Sequence, residues 1–134
     1  MAFNQPVILT NDSQVHGNYY NIVNLTSDAN NLTAEQFVNS VMYMTTGNVS
    51  DTTPSATDII DFLGKGSRVP AGTSFETYIW SYPNSSININ PGEGVNIRGI
   101  YDYNYMNHWN TSVLARYIGV VGQSDDVTIY MVKM

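Results

Sequence analysis

Cysteine is missing altogether from this 134-residue chain, which excludes disulfide frameworks, thiolate zinc sites and cysteine nucleophiles in one step. Charge is scarce as well: five Lys and Arg stand against eleven Asp and Glu, a net charge of −6. The five cations, Lys65, Arg68, Arg98, Arg116 and Lys133, are scattered. Displacing counterions from a nucleic acid needs cations in a cluster, so that partner class is set aside. Histidine occurs only at His16 and His108, without a metal-ligand spacing such as His-x-x-x-His. No apolar run approaches the ~20 residues of a membrane-spanning helix. The start "MAFNQPVILTND" has no basic stretch followed by an apolar one, so no signal peptide is read there.

What is present is Asn, Ser, Thr and Tyr. These neutral groups hydrogen-bond without the desolvation cost of buried charge, and they suit surfaces that pack against neighbours. The length suits one domain, residues 1–134, large enough to bury roughly two-thirds of its unfolded surface without a metal or disulfide. Six Asn-x-Ser/Thr sequons, at Asn11, Asn24, Asn31, Asn48, Asn84 and Asn110, read as chance matches in an Asn-rich chain.

Three textures follow one another. Residues 1–27 are strand-like, in "PVILT" and "YYNIVNLT", with residues 1–24 read as an extended N-terminal strand or arm. Residues 28–64 read as helical. Thr33 and Gln36 form a Thr-x-x-Gln capping box, Leu32 and Phe37 take the staple positions, and Phe37, Val38, Val41 and Met42 make an apolar stripe up to Gly47. A second helix starts at Ser55, with Ile59, Ile60 and Leu63 toward the core and Gly64 as terminator. Residues 68–134 read as β, and "TSFETYIWS" sets Phe75, Thr77 and Ile79 against Glu76, Tyr78 and Trp80. Strands about ten residues apart, with Gly, Pro and Asn turns, predict a mainly β fold: an antiparallel, jelly-roll-like β-sandwich with two short helices inserted between the early and late strands.

The segment "SSININPGEGVNIRG" tests for a phosphate site. Its glycines, Gly92, Gly94 and Gly99, miss the Gly-x-Gly-x-x-Gly spacing, and Val95-Asn96-Ile97 alternates at period two instead of opening a helix. It reads as a hairpin turning at Pro91–Gly94, with Ile87, Ile89, Val95 and Ile97 on one buried face. Asp125-Asp126 and Asp102-x-Asn104 carry oxygen donors of the type calcium takes, but turns with solvated acids explain them as well. No arrangement of His, Ser and acid points to catalysis, and no catalytic, cofactor or metal residue is assigned. The most unusual stretch is "YDYNYMNHWN". Tyr101, Tyr103, Tyr105, His108 and Trp109 are read as the candidate contacts for a protein partner or a sugar ring, because aromatic side chains supply area at small entropy cost.

The order "LTAEQFVNSVMYMTTG", "SATDIIDFLGKG", "PAGTSFETYIWS", "SSININPGEGVNIRG" and "DVTIYMVKM" resembles structural proteins of large DNA viruses and tailed phages, over about Leu32 to Met134. The resemblance implies a non-enzymatic virion component at the capsid surface: a decoration, cement or minor capsid protein, or a fibre head. It also implies contact with the major capsid protein or other virion proteins and a homo-oligomer, with a trimer favoured. A carbohydrate- or receptor-binding module is the alternative, motivated by the aromatic stretch.

Overall fold

The computed structural model describes residues 20–25, 30–44, 47–81, 85–99, 105–107 and 113–133. They form two sheets and two helices. A six-stranded sheet has the order β1-β3-β5-β9-β10-β7: β1 is Asn21–Asn24, β3 Ser40–Met44, β5 Ser74–Ser81, β9 Val113–Val121, β10 Val127–Lys133 and β7 Val95–Gly99. A four-stranded sheet has the order β2-β4-β6-β8: β2 is Asn30–Asn31, β4 Gly47–Thr52, β6 Ser85–Asn90 and β8 Tyr105–Asn107.

The mainly β expectation holds, and so does the placement of two helices among the strands. The antiparallel topology does not. Strands β1, β3 and β5 run parallel to one another, as do β2, β4 and β6, and β7 runs parallel to β10. Only β5–β9, β9–β10 and β6–β8 are antiparallel among the described pairings. The reason lies in the connections. From β1 to β6 the chain passes from the six-stranded to the four-stranded sheet, and two helical crossovers return it. Helix α1 (Ala34–Phe37) joins β2 to β3, and helix α2 (Ala56–Gly64) joins β4 to β5. A returning crossover lays the next strand beside the last in the same direction, whereas a two-residue turn could only reverse it.

Both helices begin as their sequences dictate. Thr33 accepts from the Gln36 N–H at 3.2 Å and Gln36 Oε1 accepts from the Thr33 N–H at 2.9 Å, a complete capping box. Ser55 Oγ accepts from the Asp58 N–H at 3.1 Å at the start of α2. The expected long first helix stops after one turn, however. Asn39 takes a left-handed φ of 52°, which breaks the helix, and Ser40–Met44 continues as a strand. Phe37, Val38 and Met42 are buried as expected, but Met42 reaches the core at the period of a strand.

The Ile87–Ile97 hairpin is also overturned. Strand β6 lies in one sheet and β7 in the other, and they do not pair. All four apolar residues, Ile87, Ile89, Val95 and Ile97, are nevertheless buried in one hydrophobic cluster. Alternation at period two revealed which side chains go inward, while the partner strands, β4 for β6 and β10 for β7, are set far along the chain. The Pro91–Gly94 loop closes on the start of α2. Gly92 N–H donates to Thr53 Oγ1 at 2.8 Å, and the Ala56 N–H donates to the Glu93 carbonyl at 2.8 Å. A side chain at Gly92 would place its Cβ 2.5 Å from the Thr53 carbonyl oxygen, so only glycine allows this approach. The glycine loop therefore caps a helix with its own backbone.

Inward residues of both sheets share one core. Phe75, Thr77 and Ile79 of β5, Ala115 and Tyr117 of β9 and Ile129 of β10 are buried, beside Ile87 and Ile89 of β6 and Ile59 of α2. Phe37 meets Phe75 edge to face at 6.0 Å between ring centroids.

Candidate functional site

The aromatic stretch expected to make contacts is largely outside the described residues: Tyr101, Tyr103, His108 and Trp109 all fall there. Tyr105 begins β8, pairing with Asn88 of β6. Residues 1–19 of the expected arm are also outside. Residues 21–24 form β1, an edge strand of the six-stranded sheet paired with β3.

The described surface with the strongest contact character is the outer face of the six-stranded sheet. The ladders set it out row by row. Ile22 pairs with Val41, Val41 with Tyr78, Tyr78 with Arg116 and Arg116 with Val132. A second row runs from Tyr43 through Trp80 to Leu114, and a third from Glu76 through Ile118 and Tyr130 to Arg98. These residues alternate with the buried inward set, so they occupy the opposite face. Ile22 is 76% exposed, Trp80 40%, Tyr130 47% and Val132 44%, while Val41, Tyr43, Tyr78, Leu114 and Ile118 are half-buried. Strands apolar on both faces normally lie between two layers. Among the described residues no second layer covers this face, and exposed apolar surface of this kind is common at interaction sites.

One ion pair sits among these residues. Arg116 donates to Glu76 Oε2 through Nη2. Tyr20 OH donates to Glu76 Oε1 at 3.2 Å and Tyr78 OH to the same oxygen at 3.5 Å. The rings of Tyr20 and Tyr78 meet edge to face at 5.8 Å. The Glu76 N–H donates to Asn39 Oδ1 at 3.1 Å, so the residue that breaks α1 also ties β5 to the preceding turn. The hydrogen bond from Arg116 lowers the Glu76 carboxyl below its ordinary range, and the same bond raises the Arg116 guanidinium further. The pair is thus ionised and neutral as a unit.

A second acid behaves in the opposite way. Asp51 of β4 is fully buried. Its Oδ1 accepts from the Asn30 backbone N–H at 3.0 Å and from Asn30 Nδ2 at 3.3 Å, and its Oδ2 has no hydrogen-bond partner. Burial pushes this carboxyl up, against the smaller opposing pull of Asn30. Its geometry fastens the two-residue strand β2 to the four-stranded sheet. Tyr117 is buried with its hydroxyl unpaired, and burial pushes its pKa up too, keeping the phenol protonated.

A shallow pocket of about 280 Å³ lies beside the C-terminal end of α2, lined in part by Asp61, Arg68 and Asp125. Arg68 and Asp125 pair there at 2.8 Å. Asp125 adopts a left-handed φ of 57°, and Asp126 Oδ1 accepts from the Ser124 N–H at 3.3 Å. The Asp125-Asp126 acids are therefore engaged in an ion pair and a turn. Among the described residues, no group of three or more His, Asp or Glu is placed to hold a metal ion. No described helix is long and apolar enough to cross a membrane.

The outer face was legible in part. "SFETYIWS" places Tyr78 and Trp80 where a solvated face would carry Lys, Thr or Ser, and "VLARYIGVV" and "VTIYMVK" are apolar on both alternations. The sequence signal was there, but β5, β9 and β10 become one surface only through their pairing. Comparison with protein-family models, with curated proteins and with solved structures finds no match to this chain.

Proposed function

We propose that this protein is a non-enzymatic structural component of a virion surface, a capsid decoration, cement or minor capsid protein, built on a sandwich-like pair of sheets. It binds the capsid lattice and other copies of itself. The observation that supports the reading is the open outer face of the six-stranded sheet. Its exposed Ile22, Trp80, Tyr130 and Val132 surround side chains that neutralise one another's charge. A face of that composition is costly in water and favourable against another protein surface. The motif order from Leu32 to Met134 supplies the kind of assembly, through its resemblance to virion structural proteins.

The test is rebinding. Purified protein is added to particles stripped of their surface proteins, and the bound fraction is measured by mass spectrometry of the washed particles. Stoichiometric, saturable rebinding is expected. Absence of the protein from native particles, with no rebinding, contradicts the proposal.

The alternative reading as a carbohydrate-binding module draws on the exposed rings of Trp80 and Tyr130, since flat aromatic faces stack on sugars. A glycan array distinguishes it: binding abolished by Trp80→Thr favours the module, and no binding at millimolar glycan removes it.

A further inference from the structure

The open sheet face poses a question that the general reading leaves aside: what covers it. We propose that a second copy of this chain does, packing sheet against sheet through Trp80, Tyr130 and Val132. This rests on reading the outer face as a contact surface.

Charge favours a self-contact. The chain as a whole carries −6, which makes two copies repel at most orientations. The outer face is the exception. Glu76 is cancelled by Arg116, and Arg98 on the edge strand β7 adds a positive group. Two such faces approach without like acids meeting. With Arg98 at its edge as the one uncompensated charge among these residues, the face is largely neutral and favours a surface that is itself neutral and apolar. Its own copy presents that surface.

Size agrees. Six strands at about 4.8 Å spacing and about 3.3 Å per residue along each strand give a plane of roughly 25 by 20 Å. That is on the order of 500 Å² per copy before side-chain relief is counted, so two faces together reach the roughly 1,000 Å² that a specific interface requires. Stacked sheets sit about 10 Å apart, a gap that Tyr and Trp side chains from both copies fill. The large exposed aromatics are the residues expected to dominate the binding energy.

The test is sedimentation equilibrium of the full chain over a range of micromolar concentrations, at low salt and again at about 0.5 M NaCl, where the ~4 Å screening length removes long-range steering but leaves apolar contact intact. The wild-type chain is expected to sediment at a multiple of its monomer mass in both buffers. The double variant Trp80→Thr, Tyr130→Thr, folded by circular dichroism, is expected to weaken assembly by at least about 30-fold. If the double variant fails to fold, Val132→Lys serves in its place: it adds a second uncompensated positive charge per copy beside Arg98 and is expected to give monomer. A wild-type chain that remains monomeric throughout overturns the inference, and so does a folded variant that assembles as tightly as wild type. Particle rebinding is scored separately. Assembly without rebinding removes the virion role and keeps the self-contact, while rebinding by a monomeric chain does the reverse.

Discussion

The two faces of strand β5 are neighbours in sequence and opposites in environment. Phe75, Thr77 and Ile79 are buried to within a few per cent, whereas Glu76, Tyr78 and Trp80 between them face outward. Both sets are rich in large or β-branched side chains. What separates them is whether the described residues supply a cover. The inner set meets the core shared by both sheets and α2. Apolar composition alone therefore does not make a core; a core forms where another layer meets it.

Substitution should divide the two faces sharply. Ile79→Ala removes buried methyl groups and should cost about 2–5 kcal/mol of unfolding free energy, while Trp80→Thr one residue away should cost less than about 1 kcal/mol in the monomer. Urea denaturation monitored by circular dichroism measures both, and equal losses would erase the distinction between the faces. The next effect concerns Gly119 of β9, which sits opposite Phe75 on the inner side. A Cβ there would lie 2.2 Å from the Phe75 ring, so Gly119→Ala should destabilise by about 1–3 kcal/mol through overpacking. Thr33→Ala should cost about 1 kcal/mol by removing the cap of α1, and it should leave self-association of the outer face unchanged.

The smallest effects are in pH dependence, where the two acids move in opposite directions. Asp51 has its carboxyl raised by burial. As the pH rises above about 4 the unfolded chain ionises at this position first, so stability is lost until the folded carboxyl has ionised too. Glu76 has its carboxyl lowered by Arg116, so its contribution is present above about pH 4 and is lost as the pH falls through the folded value. Melting curves of Asp51→Asn should improve relative to wild type as the pH rises above about 4. Those of Glu76→Gln should worsen relative to wild type as the pH rises from about 2 to 5, and salt should shrink that difference. Parallel slopes for the two variants would contradict the assignment of one acid to the buried sheet and the other to the ion pair.

Local grammar was readable from sequence, and long-range pairing was not. The caps at Thr33 and Ser55, the inward set of β5 and the burial of Ile87, Ile89, Val95 and Ile97 all follow from residue type and period. Two elements misled. Phe37, Val38, Val41 and Met42 fit a helical stripe over so short a window that a strand fits equally, and the break at Asn39 is a single left-handed residue. Pro91–Gly94 has the composition of a hairpin turn, yet it carries the chain between sheets and closes on α2, because Thr53, Pro54 and Ala56 approach it from another part of the chain. The candidate site shares this limitation. Tyr78, Arg116 and Val132 come from three strands, and only the ladder puts them in a row. The buried state of Asp51 has no sequence signature at all, since it depends on β2 closing over one side of β4.

Because the chain contains no cysteine, one introduced thiol reports on one position without interference. If other copies of the chain cover the outer face, a thiol placed on it is shielded in proportion to assembly. The most direct test is the alkylation rate of Val132→Cys, on that face, against Ser67→Cys, exposed beside α2, across a dilution series. The Val132→Cys thiol is expected to be protected at high protein concentration and to react progressively faster on dilution, while the Ser67→Cys rate stays constant. Rates for both thiols that are fast and independent of concentration would contradict that coverage.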